Sequence, residues 1–290
     1  MRGARFFALT FVLLACALAA AAGDVTSQPA PGFSVSSRVD WVSGEVRVEI
    51  SRALDPETPS LPRAKGDAEA EIESRLGAIL VEALSPLLVD SSHTFGDLLG
   101  QEARLFAAVN SLALSAPRRA VFLTEDFSAL VARYAIPLFG EGGVVGPLIP
   151  ATATPIRRRP GYVASRKFTG LVIYVPARVA AVGSTREAAP RPALFPRIFD
   201  EEMSLVMEKS MCGPDSLARW GMVGYAKTLD DPAVMRAGAA PLRVVARAVF
   251  GDHATDLVIP TEGARQLLSV AENLAILREG RIVLVCEGLE

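Results

Sequence analysis

The chain has 290 residues, half of them hydrophobic, with a formal charge of −2 and a mean hydropathy of +0.32. A near-balanced charge argues against general nucleic-acid binding, which favours a basic surface. Beyond the N-terminus, no apolar run approaches the roughly 20 residues that a membrane-spanning helix needs.

The first 23 residues have the order of a secretory signal. Arg2 and Arg5 form a basic start, Phe6 to Leu18 is apolar apart from Thr10, and Ala19 to Gly23 is a small-residue exit. Removal of this segment leaves about 267 residues and takes the formal charge from −2 to −4. Leu13-Leu14-Ala15-Cys16 is a candidate lipid-attachment box. Cleavage near Gly23 suits the apolar stretch Ala17 to Ala22 better; lipidation at Cys16 suits a membrane anchor. Either way the expected location is the periplasm or the outer membrane.

Residues 24–37, with Pro29 and Pro31, read as a flexible tether. A first domain is expected over 38–140. From Glu45 the pattern alternates, with Val46, Val48 and Ile50 on one face and Glu45, Arg47 and Glu49 on the other, as in a half-buried strand. Lys65 to Val89 has apolar residues at helical spacing, and Pro86 marks its end. A second helix is expected from Phe95 to Leu114, with Thr94 as its cap. Ala120 to Leu123 and Phe127 to Phe139 read as strands, the latter with Leu130, Ala132, Tyr134 and Ile136 on one parity. This β-α-α-β-β order predicts an antiparallel sheet with its helices on one face.

Residues 141–161 are rich in Gly and Pro and carry Arg157-Arg158-Arg159, which reads as a solvated linker. A second domain is expected over 162–290. It reads as strand-rich and mixed, with strands at Phe168–Val175, Gly221–Ala226, Leu242–Phe250, Asp256–Ile259 and Arg281–Val285, and a helix from Glu262 to about Leu277. The overall class is α+β.

Few residues suggest chemistry. His93 and His253 belong to no zinc motif, and no Gly-x-Ser-x-Gly elbow accompanies them. Gly140 to Gly146 lacks the Lys-Ser/Thr ending of a phosphate loop. Asp200-Glu201-Glu202 and Asp230-Asp231 lack calcium-loop spacing. Trp41, Trp220 and Tyr225 read as anchors of a core or interface. Cys212 and Cys286 read as unpaired core thiols, with a disulfide between them as the alternative. No catalytic residue, metal or cofactor is indicated, and the chain reads as a non-enzyme. Arg191, Pro192, Phe195, Pro196 and Arg197 form a rigid, proline-bearing stretch that reads either as a partner surface or as a structural crossing.

Three segments in order, Phe168-Thr169-Gly170-Leu171-Val172-Ile173, Pro192 to Glu201 and Gly224-Tyr225-Ala226, precede an ending with Asp256 to Pro260 and Gly280 to Val285. Together they resemble the FlgT-like and lipoprotein-20-like envelope proteins of two-membrane bacteria. After Ile173 this chain has Tyr174-Val175-Pro176-Ala177-Arg178 in place of the Asp-Ala-Arg-Gly run of that group. The resemblance implies a non-catalytic envelope protein, structural or protein-binding, with a flagellar or other envelope partner. The alternative is a periplasmic module that binds a small ligand or peptidoglycan. Contact with a membrane is expected only through lipid at Cys16.

Overall fold

The computed structural model describes residues 32–161 and 164–289. The signal, Cys16 and most of the expected tether lie outside the described residues.

The first domain is built on the alternation visible in its strands. Its elements are β1 (Phe33–Asp40), β2 (Glu45–Ala53), α1 (Leu61–Leu84), α2 (Phe95–Gln101), α3 (Ala103–Leu114), β3 (Arg118–Leu123) and β4 (Ala129–Pro137). The four strands form an antiparallel sheet in the order β1-β2-β4-β3. Val46, Val48 and Ile50 of β2 pack with Leu130, Ala132, Tyr134 and Ile136 of β4 and with Ile72, Leu80 and Val109 of the helices. Polar residues of opposite parity cannot enter that core, so one sheet face stays wet.

Two expectations change here. The tether is shorter than residues 24–37, because β1 begins at Phe33 and pairs along its whole length with β2. The signal was the alternation of Phe33, Val35, Ser37 and Val39, weakened by the serines on both faces. The helix expected over Phe95–Leu114 is two helices, since Glu102 adopts an extended backbone (φ −126°, ψ 102°). Thr94 does cap α2, in a reciprocal box with Asp97.

The second domain comprises β5 (Leu171–Val175), β6 (Val179–Ala181), β7 (Glu187–Ala188), β8 (Ile198–Asp200), β9 (Leu205–Met207), α4 (Pro214–Trp220), β10 (Gly224–Ala226), β11 (Leu242–Val245), β12 (Ala248–Phe250), β13 (Asp256–Ile259), α5 (Thr261–Ser269), α6 (Ala271–Arg278) and β14 (Ile282–Cys286). One sheet is fully parallel, in the order β10-β14-β5-β11. The other is mixed, in the order β7-β6-β12-β13-β8-β9. The expected helix from Glu262 to Leu277 breaks at Val270, which is extended (φ −109°, ψ 125°). The α+β class and the strand-rich second half are as read from the sequence.

The two domains share one continuous core. Residues 141–161 are more than a spacer. Val144 and Val145 are buried, with their amides on the carbonyls of Pro137 and Leu138. Further on, Thr154 donates to Ser210 and Arg159 to Leu268 of the second domain. The arginine triplet is partly engaged: Arg158 donates to the Ser269 carbonyl at 2.7 Å, and Arg159 lies 3.5 Å from buried Asp200.

Candidate functional site

The proline-bearing stretch is mostly enclosed. Arg191 is exposed and Pro192 half-buried, whereas Ala193 to Pro196 are buried. The amides of Leu194 and Phe195 donate to the carbonyls of Leu88 and Val89 in the first domain, at 3.0 and 2.8 Å. Pro192 and Pro196 flank these donors, so the stretch spends its backbone bonds on the other domain. Arg197 is committed as well. Its Nε and Nη2 reach Asp256 at 2.8 and 2.7 Å, its amide donates to the same carboxylate, and Nη2 donates to Ser91 of the first domain at 2.8 Å. Asp256 is fully buried, and only such multiple charge-assisted bonds make a buried carboxylate tolerable. Phe195 and Pro196 therefore form an internal strut braced by Arg197, and of the predicted partner surface Arg191 and parts of Pro192 and Arg197 face solvent.

Tyr225 completes the strut. Its hydroxyl donates to the Ala193 carbonyl at 2.7 Å and accepts from the Ala193 amide at 2.9 Å. Its ring lies 5.1 Å from that of Trp41 in the first domain. Two glycines permit the close approach. Gly251 (φ +89°) faces the Ser91 side chain and Gly221 (φ +79°) faces the Phe139 ring, and a β-carbon at either position would collide with the opposite domain.

The other reactive groups are similarly occupied. His93 bonds locally to Asp90 at 3.0 Å, and the His253 amide donates to the Ser91 carbonyl. The fold thus brings both histidines to the same junction, which their sequence separation hid. Ser91 itself is buried, and its hydroxyl oxygen accepts from Arg197. Cys212 and Cys286 are both unpaired thiols. Burial pushes the Cys212 thiol up to about 11 and the Cys286 thiol up to about 12. Neither supplies thiolate at neutral pH. Asp200 accepts the amides of Glu202 and Ser204, and Asp231 caps the turn at Ala233. Among the described residues no group of three or more His, Cys, Asp or Glu is placed to hold a metal. No helix among them is long and apolar enough to cross a membrane.

A cluster of charged groups also lies on the wet face of the first sheet. Cross-strand register puts Ser36, Glu49, Arg133 and Ala120 in one row, and Arg38, Arg47 and Ala135 in the next. Arg119 joins them at the irregularity between Arg118 and Ala120, where β3 carries one extra residue against β4. Arg118, by contrast, binds Glu69 on the helix side. The face is laced with ion pairs: Arg47 with Asp40 (2.8 Å), Arg119 with Glu45 (3.0 Å) and Arg133 with Glu49 (2.6 Å). Arg133 also covers the half-exposed Phe122 ring at 4.8 Å. Burial raises the Asp40 carboxyl pKa, but hydrogen bonds from Ser43 and the Arg47 charge outweigh this and leave it lowered.

Between these side chains runs a trough of about 630 Å³, lined by Arg38, Arg47, Arg119, Arg133, Glu45 and Glu49. Ser36 and Ala135 keep its floor low. Arg38 sits directly opposite Arg47, and like charges so placed are destabilising. Among the described residues no carboxylate pairs with Arg38. Sequence reading had put Arg47, Glu45 and Glu49 on a wet face. It missed Arg38, Arg119 and Arg133, which join them only through pairing and an irregular register.

Comparison with known proteins gives two family matches. Residues 32–141 match the N-terminal domain of Treponema pallidum Tp0624, and residues 170–288 match its second domain. No curated protein sequence matches the chain. The matched segments agree with the two structural domains and start the first one at the head of β1. This chain is therefore similar, domain by domain and in the same order, to the N-terminal and second domains of Treponema pallidum Tp0624.

Proposed function

We propose that the chain is an exported, non-enzymatic protein of the cell envelope that works by binding another envelope protein through the wet face of its first sheet. The observation that carries this reading is the charged trough on that face, where Arg38 has no carboxylate partner among the described residues while polar groups at the domain junction are engaged in structural bonds. The signal-like N-terminus supports export, to the periplasm or to an outer-membrane anchor at Cys16. The envelope-family resemblance supports an assembly role, with the flagellar base as one setting. A trough of about 630 Å³ also falls in the range of small-ligand pockets. That favours the second reading, a module for wall fragments, which predicts a ligand-dependent rise in melting temperature.

The test is in native cells. A photo-crosslinking residue at Ser36, on the floor of the trough, should yield an adduct of one discrete mass in the envelope fraction. The same residue at exposed Glu262 in the second domain serves as the control. No adduct from Ser36, or identical adducts from both sites, would overturn the reading.

A further inference from the structure

We infer that the trough receives an extended acidic segment of the partner protein, with a carboxylate at every second residue. The inference rests on the protein-binding reading above and specifies its partner.

Charge comes first. The wet face sets four arginines, Arg38, Arg47, Arg119 and Arg133, against three carboxylates, Asp40, Glu45 and Glu49. The whole chain has the opposite bias, with 30 Lys and Arg against 32 Asp and Glu. The basic excess is thus local to this face. Arg38 sits opposite Arg47, whose own charge is paired with Asp40, so an incoming anion gains attraction chiefly at Arg38.

Preorganisation comes second. Asp40, Glu45 and Glu49 hold Arg47, Arg119 and Arg133 in place at 2.6–3.0 Å. Each guanidinium has five donors and commits only some of them, so the remainder are already aimed when a carboxylate arrives. Holding them beforehand reduces the ordering cost of binding.

Shape comes third. The lining runs across all four strands, from Arg38 on β1 to Arg119 on β3. Three inter-strand steps of about 4.8 Å give a length of roughly 14 Å. An extended peptide rises about 3.3 Å per residue, so roughly four residues fill the trough. Side chains of one parity repeat about every 7 Å, so alternate carboxylates of one peptide can reach arginines on different strands, which one compact anion does not.

The probe is an acetylated, amidated pentapeptide of alternating Glu and Ser, titrated into the full mature chain and followed by backbone amide shifts. A peptide with Lys in place of Glu and a purified wall muropeptide are run alongside. The acidic peptide should shift β1 to β4 resonances at low salt, and several-fold higher salt should weaken it strongly. Arg38→Glu should reduce affinity at least tenfold and Arg119→Ala several-fold, both with melting temperatures at or above that of the parent chain. Equal response to the acidic and basic peptides, unchanged affinity in both variants, or shifts with the muropeptide alone would each overturn the inference. If Ser36 crosslinks persist in cells while the acidic peptide gives no shifts, the partner chemistry is wrong and the binding face stands. If neither appears, both fail.

Discussion

The two domains solve the same burial problem in opposite ways. In the first, β2 alternates, so one face makes the core and the other meets water, while in the interior of β4 only Arg133 breaks a buried run. In the second, Leu171–Val175, Asp256–Ile259 and Ile282–Cys286 are buried almost without interruption, as expected of strands covered on both faces. Individual arginines also differ in what they do. Arg236 of the second domain is enclosed and donates to the carbonyls of Trp220, Gly221 and Gly280 at 2.6–2.7 Å. These carbonyls lie just past the C-terminal ends of α4 and α6, where helix dipoles favour a cation. Burial lowers its pKa to about 10, which still leaves it charged at neutral pH. Arg197 is likewise spent on Asp256. Arg38, Arg47, Arg119 and Arg133 of the first sheet remain at the surface. Arg197 and Arg236 therefore brace the fold, whereas Arg38 is exposed and has no carboxylate partner among the described residues.

This contrast is broken most severely at Arg197. Arg197→Ala leaves Asp256 buried with no cation and removes the bond to Ser91. The expected loss is about 3 kcal/mol, seen as a fall of roughly 5–10 °C in melting temperature. A loss below about 1 kcal/mol would mean that the junction is looser than its bonds indicate. Next is Tyr225→Phe, which strands both the amide and the carbonyl of buried Ala193. Chemical denaturation should show a loss of about 2 kcal/mol, and native-state hydrogen exchange should be faster at Ala193. The smallest effect tests burial alone. Because the thiols of Cys212 and Cys286 lie at about 11 and 12, the folded protein should resist alkylation at pH 8. Both should react once denaturant is added. Rapid labelling of the native protein would contradict their placement.

How much of this was legible in the sequence depended on whether neighbours in space were neighbours in the chain. The alternation in β2, the cap at Thr94 and the strands at Leu171–Val175, Asp256–Ile259 and Ile282–Cys286 are local patterns and appear as expected, whereas Leu242–Phe250 splits into β11 and β12 in different sheets. Serines at both parities blurred β1 and merged it with the tether. The break at Val270 has no Pro or Gly beside it, and the one at Glu102 is announced only by Gly100, which a helix tolerates. Three-residue strands such as β6, β8 and β9 carry too little periodicity to be seen. The function of Pro192 to Arg197 was hidden most completely. Its partners, Leu88, Val89 and Ser91, lie about a hundred residues earlier, so a stretch that looks presentable in isolation turns out to be enclosed. Asp256 offered one faint clue, as a lone acid opening an apolar strand. On the binding face, two-residue periodicity exposed Glu45, Arg47 and Glu49, but only register with β1 and β4 adds Arg38 and Arg133.

One paired titration tests the division of labour most directly. The alternating acidic peptide is titrated into Arg38→Glu and Arg197→Ala side by side, with the melting temperature of each recorded. The account predicts that Arg38→Glu keeps its melting temperature and loses the peptide. It predicts that Arg197→Ala melts several degrees lower and, while folded, binds the peptide as the parent chain does. The opposite pattern, with affinity following Arg197 and stability following Arg38, would contradict it.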